Sequence, residues 1–322
     1  MPVILDPDAA AVYKAFQEAG RPAYETLTAP EAREYYRAAR IVSNPEPPAL
    51  ESTKALAIPA PHGTIPARIY TPKTLRKING LAPCLVFFHG GGWVIGDLDS
   101  HDVVCRQLAV AGALIVIAID YRLAPEHKFP AAHDDALAAY RWVLDNAQSF
   151  HGDPQKVAVM GESAGGNLAI GVSLMARDAG LPAPVHQVLV YPVAGVDMDN
   201  ASYVENATAK PLNKPMMQWF VKHIFENEGD AQDPRINLVE NADLIGLPSS
   251  TVICAEIDPL RSEGELLAEK LEQAGVDVRQ KTFHGSTHEF FGMAQVLPDA
   301  MAAQTFAAHE LKRAFGTAIL PI

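Results

Sequence analysis

Clustered basic charge, paired cysteines and membrane-length apolar runs are all missing from this sequence. Its 322 residues include 26 Lys or Arg against 38 Asp or Glu, a formal net charge of −12. No basic stripe gathers the cations, which argues against nucleic acid as a partner, because a phosphate backbone calls for clustered Lys and Arg. The three cysteines, Cys84, Cys105 and Cys254, lie inside apolar runs without Cys-x-x-Cys spacing. They read as small buried side chains in a reducing compartment rather than as a disulfide framework or a metal site. The apolar run Leu108 to Ile119 falls short of the ~20 residues a membrane span needs. At the N-terminus, Met1-Pro-Val-Ile-Leu-Asp6 turns acidic before a signal-peptide core develops. A soluble, cytoplasmic protein without stable membrane association is expected, and the sequons at Asn200 and Asn206 read as accidental. Internal repeats and low-complexity segments are absent as well.

A chain of this length can bury about three quarters of the surface its unfolded form exposes, enough for one large domain with an addition. Helical spacing runs from Asp8 to Glu18 and from Pro30 to Arg40, the second with Thr28 as N-cap. Asn44-Pro-Glu-Pro-Pro48 then breaks the pattern. Strand-like runs at Thr53 to Ile58 and Ala67 to Tyr70, parted by Pro61-His-Gly63, predict an antiparallel edge. Pro83 to Phe88 and Leu114 to Ile119 are nearly continuous apolar runs, as strands covered on both faces must be. From there strands and helices alternate, which predicts a mostly parallel sheet: helices over Asp99 to Ala111 and Ala131 to Gln148, a strand over Lys156 to Met160, a helix over Gly166 to Arg177 and a strand over His186 to Tyr191.

The alternation pauses between Val196 and Pro248, where Lys214 to Phe225 carries Met216, Met217, Trp219 and Phe220 at helical spacing. It resumes with strands over Thr251 to Glu256 and Val278 to Phe283 and helices over Ser262 to Ala274 and Asp299 to Phe315. The expected organisation is a helical cap made from residues 1–45 and the insert 196–248, over a catalytic domain made from 46–195 and 249–322. The apolar residues of the insert read as packing for that roof, not as a groove for a long chain.

The chemistry centres on Gly161-Glu-Ser-Ala-Gly165, between a β-branched strand and a helix. A turn this sharp forces its central residue into a sparsely populated conformation and leaves no room for side chains two positions away, so glycine belongs at 161 and 165. Ser163 is thereby held out at the top of the sheet as a nucleophile elbow. An unassisted serine is a poor nucleophile and needs a base and an orienting carboxylate, which follow an elbow in the order Asp or Glu, then His, each just past a strand. Asp258 meets the first requirement, since Glu256 still belongs to its strand and Pro259 opens a turn suited to an exposed carboxylate. For the base, His288 is preferred to His284, because His284 directly terminates the last strand while His288 lies on the loop before the final helix. A zinc-protease reading of His288-Glu289 fails at position 292, which is glycine where His-Glu-x-x-His needs its second ligand.

An oxyanion hole needs backbone N–H donors facing Ser163. One belongs to Ala164; the others are expected from the loop His89-Gly-Gly-Gly-Trp93, just after a strand. That loop is neither a P-loop, since Val-Ile-Gly-Asp follows it, nor a dinucleotide fingerprint, since it lacks Gly-x-Gly-x-x-Gly spacing. No cofactor and no metal is expected.

These motifs, together with Asp120-Tyr-Arg-Leu-Ala-Pro-Glu126, Asp258-Pro-Leu260 and His288-Glu-Phe290, resemble the hormone-sensitive-lipase-like family of α/β-hydrolase carboxylesterases over most of the chain. The resemblance implies an α/β-hydrolase fold, Ser163, Asp258 and His288 as a triad, and the N–H groups of Gly91, Gly92 and Ala164 as the oxyanion hole. It also implies a helical cap and often a homodimer. Glu162 departs from the family, which usually has Asp or Thr there. The expected function is hydrolysis of small, short- to medium-chain carboxylic esters through an acyl-enzyme. An amidase or deacetylase on the same triad, or a non-catalytic ligand receptor on the scaffold, are the other readings.

Overall fold

A computed structural model of the chain describes residues 5–18, 20, 22–43, 46–77 and 80–317. Residues 1–4, 19, 21 and 44–45 of the expected cap, and 318–322 at the other end, lie outside the described residues.

Eight strands form one sheet: β1 (Ser52–Ala60), β2 (Gly63–Thr71), β3 (Ala82–Phe88), β4 (Ile115–Ile119), β5 (Gly152–Glu162), β6 (Gln187–Val190), β7 (Ser250–Ile257) and β8 (Val278–Thr287). Their spatial order is β1-β2-β4-β3-β5-β6-β7-β8. The β1–β2 hairpin pairs antiparallel with itself and with β4, and every other pairing is parallel. This is the mostly parallel sheet of an α/β hydrolase, with the antiparallel edge that the Pro61-His-Gly63 turn predicts. The longer helices are α1 (Pro7–Glu18), α2 (Ala29–Ser43), α3 (Asp102–Gly112), α4 (Ala131–Asn146) and α5 (Ala164–Asp178) in the first half of the chain. Then come α6 (Ala201–Glu205), α7 (Lys214–Ile224), α8 (Leu238–Asn241), α9 (Arg261–Gln273) and α10 (Pro298–Ala314).

Alternation along each strand sorts the core into two layers. Cys84, Val86 and Phe88 of β3 join Ile115, Ile117 and Ile119 of β4 under α4, α5 and α9. Leu85 and Phe87 join Val116 and Ala118 on the opposite face under α3 and α10. Every residue of β3 and β4 is buried, because successive side chains point to opposite faces and both faces are covered. Each such Val, Leu, Ile or Phe contributes about 1.5–3 kcal/mol by leaving water, which makes the sheet a rigid platform for whatever its C-terminal edge carries.

Several boundaries differ from the sequence reading; β5, for example, begins at Gly152 rather than Lys156. The last strand continues past Phe283 to Thr287, so His284 lies inside β8. Ladder pairing extends to Thr287 opposite Ile257 across an irregularity that a periodicity reading misses. Between 196 and 248 the short helices α6 and α8 accompany the expected α7. The Thr28 cap is present in a different form: its own N–H and hydroxyl donate to Glu31 Oε2 at 2.9 and 2.6 Å, the carboxylate reaching back to the helix start.

Candidate active site

Glycine at 161 and 165 is enforced by contact. A Cβ on Gly161 would sit 2.0 Å from the Gly165 carbonyl oxygen, and one on Gly165 would sit 2.1 Å from that of Phe88. Between them Ser163 adopts φ 57° and ψ −118° at the N-terminus of α5, a conformation that costs about 1–3 kcal/mol. Its N–H donates to Val190 O at 2.8 Å, and its own carbonyl accepts from Asn167 and Val193 at 3.1 and 3.2 Å. The surrounding backbone thus holds the strained residue in place.

His288 begins directly past β8, and its Nε2 stands 3.0 Å from Ser163 Oγ. On the ring's other side, Nδ1 donates to Asp258 Oδ2 at 2.7 Å. A carboxylate can only accept, so this bond places the proton of the neutral imidazole on Nδ1 and leaves Nε2 free to take the serine proton. Asp258 is fully buried, which corrects the expectation of an exposed carboxylate. Ser202 Oγ of α6 donates to Pro259 O at 2.5 Å and Asn206 Nδ2 to Asp258 O at 3.3 Å, so the insert covers the turn. Asp258 Oδ1 accepts the N–H of Leu260 at 2.9 Å; one carboxylate therefore forms an Asx turn with one oxygen and faces the histidine with the other. His284, by contrast, is 83 % exposed and meets Glu256 at 3.3 Å.

The glycine loop lies opposite. Gly91 and Gly92 have φ of 113° and 57°, and a Cβ would come within 2.2 Å of Ile95 O at the first and of the Phe220 ring at the second. Val94 and Ile95 N–H both donate to Gly91 O, at 3.0 and 2.9 Å, closing the turn. Behind it Tyr121 stacks on His89 at 4.3 Å between ring centroids and donates to His89 O at 2.7 Å. Burial holds His89 at a pKa of about 4 and lowers that of His101 well below the ordinary imidazole value, so both stay neutral props.

The family model for the α/β hydrolase fold matches residues 85–292. The chain belongs to the α/β-hydrolase family. It is 41 % identical to the carboxylesterase NlhH of Mycobacterium tuberculosis over 78 % of each chain. With an ethyl acetate hydrolase of Pseudomonas putida it shares 36 % identity over 92 % of this chain and 95 % of the relative. An ester hydrolase from the metagenome of Lake Arreo, solved with a bipyridine phosphonate derivative, superposes with a TM-score of 0.92 at 36 % identity, over 98 % of this chain and 100 % of that one. The hormone-sensitive-lipase-like resemblance is borne out with the fold.

Two features of this α/β hydrolase had no counterpart in the sequence reading. Arg33, Arg37 and Arg40 fall on one face of α2. Arg33 donates to Val94 O and Ala124 O, each at 2.8 Å, and to both oxygens of Glu126; Arg37 donates to Asp97 at 2.6 Å. The helix is strapped across the segment that continues the glycine loop. Arg33→Ala should lower stability by about 1–3 kcal/mol, in the range of a hydrogen bond to a charged group, and should lower kcat more than it raises KM. Unchanged thermal unfolding and kcat would reduce the strap to a surface ion pair.

The second feature lies beside His288: the Tyr191 ring packs on it at 4.4 Å and the Tyr191 hydroxyl donates to Glu162 Oε2 at 2.6 Å. Burial raises the pKa of Glu162, and the buried Arg40 and this hydrogen bond oppose the rise. For His288, burial alone would lower the pKa; the charge and hydrogen bond of Asp258, with Glu289 and Glu162, outweigh it and the net shift is upward.

A cavity of about 110 Å³ opens from Ser163 between Val193, Val196, Tyr203 and Met217. A larger concavity, about 730 Å³, is an open charged groove along α9 and β8 that includes none of these residues. Size alone would choose it; Ser163 lines the smaller, apolar one. Among the described residues no group of three His, Cys, Asp or Glu could hold a metal, and no helix is long and apolar enough to cross a membrane.

Proposed function

We propose that this chain hydrolyses small carboxylic esters through an acyl-enzyme on Ser163, with His288 as base, Asp258 as its orienting carboxylate, and the N–H groups of Gly91, Gly92 and Ala164 as the oxyanion hole. The enzyme is a serine carboxylesterase. Ser163 Oγ attacks the ester carbonyl as its proton passes to His288 Nε2, and the oxyanion is met by backbone N–H groups that need no reorganisation. The imidazolium, held by Asp258, gives that proton to the departing alkoxy oxygen. Water then attacks the acyl carbon as His288 takes its proton, and the carboxylic acid leaves with Ser163 restored. Residues 1–45 and 196–248 act as one roof over a catalytic part formed by 46–195 and 249–322. A cytoplasmic location accompanies this reading, in keeping with three buried free thiols, and the family resemblance carries a homodimer with it.

The observation that carries the assignment is the relay of 3.0 and 2.7 Å from Ser163 through His288 to Asp258. Treatment with an aryl phosphonate followed by peptide mapping should place the adduct on Ser163; an adduct on any other serine would overturn it. Because neutral His288 is the base and its pKa is raised, kcat/KM should climb with pH through a value above the ordinary imidazole value of ~6.5. The same sign makes charged His288 stabilise the fold fully below that ordinary value, a contribution lost as pH rises through the folded pKa. An acid limb centred below ~6.5 would contradict the geometry.

A further inference from the structure

Two chambers meet at Ser163, and Gly92, Ser163 and Phe220 line both. The larger is the 110 Å³ cavity; the smaller, about 10 Å³, lies between Leu212, Met216, His288 and Glu289. Helix α7 supplies the partition. Its Met216 faces the small chamber, Met217, Val221 and Ile224 face the large one, and Phe220 stands between. The ring is buried and lies directly on the backbone of Gly92, where a Cβ would come within 2.2 Å of it.

The chemistry tells the chambers apart. His288 must return its proton to the departing alkoxy oxygen, so the alcohol half leaves on the side that His288 lines, which is the small chamber. The acyl chain then occupies the larger, apolar one. If each methylene takes roughly the ~30 Å³ share of a liquid water, 110 Å³ admits a tail of about four carbons.

We infer that Phe220 is the specificity-determining wall of this esterase, closing the acyl chamber toward the alcohol side and so setting the longest acyl chain it accepts. The inference rests on the esterase reading above. Removing the ring frees the space it fills against Gly92, and longer acyl chains extend into that space. Each further methylene that finds apolar surface should then add about fourfold to kcat/KM, the factor that burial of one methylene supplies.

The test is kcat/KM for one aryl alcohol esterified with acids of two to twelve carbons, in the wild type, Phe220→Ala and Phe220→Leu. The wild-type optimum is expected between butyryl and hexanoyl, Phe220→Ala at octanoyl or beyond, and Phe220→Leu in between. A ring that merely props the glycine loop would lower kcat by one common factor at every chain length and leave the optimum where it was. That outcome, in variants whose Ser163 still reacts with a phosphonate, overturns the partition. Should Phe220→Ala fail to fold, Phe220→Leu alone decides, because an unmoved optimum in it is equally fatal. Absence of Ser163 labelling in the wild type would instead bring down the esterase reading, and this inference with it.

Discussion

Ser163→Ala should lower kcat by about 10⁵–10⁶-fold in a protein that folds as before, since removing the nucleophile costs about as much as removing the whole triad. The argument is local. Alanine accepts the same φ of 57° no worse than serine does, and the backbone bonds of residue 163 to Val190, Val193 and Asn167 do not involve its side chain. Only the 3.0 Å contact with His288 disappears. Hydrolysis should persist at a residual rate over water, supplied by substrate binding and the glycine loop. The measurement is steady-state turnover of an aryl butyrate beside thermal unfolding of the same preparation. A loss of less than about 10³-fold would mean that water, or another side chain, attacks the ester directly, and that Ser163 only lines the cavity.

The parts of this site that could be read from the sequence are those fixed by backbone geometry. Gly161, Gly165, Gly91 and Gly92 are glycine because a Cβ at each would lie 2.0–2.2 Å from a neighbouring atom, and a constraint that severe leaves a motif. The order of Ser163, Asp258 and His288 follows from which strand ends are adjacent in a parallel sheet, a property of topology. What escaped is set by side-chain packing across long stretches of chain. The burial of Asp258 depends on Ser202 and Asn206 arriving from the insert, and no local pattern announces it. Arg33 and Arg37 leave no local mark, because their partners Val94, Asp97 and Glu126 are some sixty or ninety residues away. Phe220 is a buried residue of a helix that periodicity predicts, yet Met217 and Phe220 also line the cavity at Ser163. Periodicity says which face is buried, not whether the buried face meets a wall or a space.

Asp258→Asn should lower kcat by about 10⁴-fold, the effect of trapping the catalytic histidine in the wrong tautomer, while changing the contacts around it very little. Asn is as good an Asx-turn former as Asp, so its Oδ1 should go on accepting from Leu260 N–H, as Asp258 Oδ1 does at 2.9 Å. That bond fixes the orientation of the amide and puts its NH₂ where Oδ2 now stands, 2.7 Å from His288 Nδ1. An amide N–H facing Nδ1 requires an acceptor there, so the imidazole proton moves to Nε2. Nε2–H then donates to Ser163 Oγ and cannot take its proton. The variant also loses the charge that stabilises the imidazolium, the main influence raising the His288 pKa against burial, so what activity remains should show an acid limb at lower pH than the wild type. Asp258→Ala makes the comparison sharper. With neither donor nor acceptor opposite Nδ1, both tautomers are open to it, and it should retain more activity than the isosteric asparagine if the tautomer is what matters. Equal loss in the two variants would assign the effect to charge alone, and a loss below about tenfold in both would mean that Asp258 serves the turn and that the histidine is oriented by its packing against Tyr191.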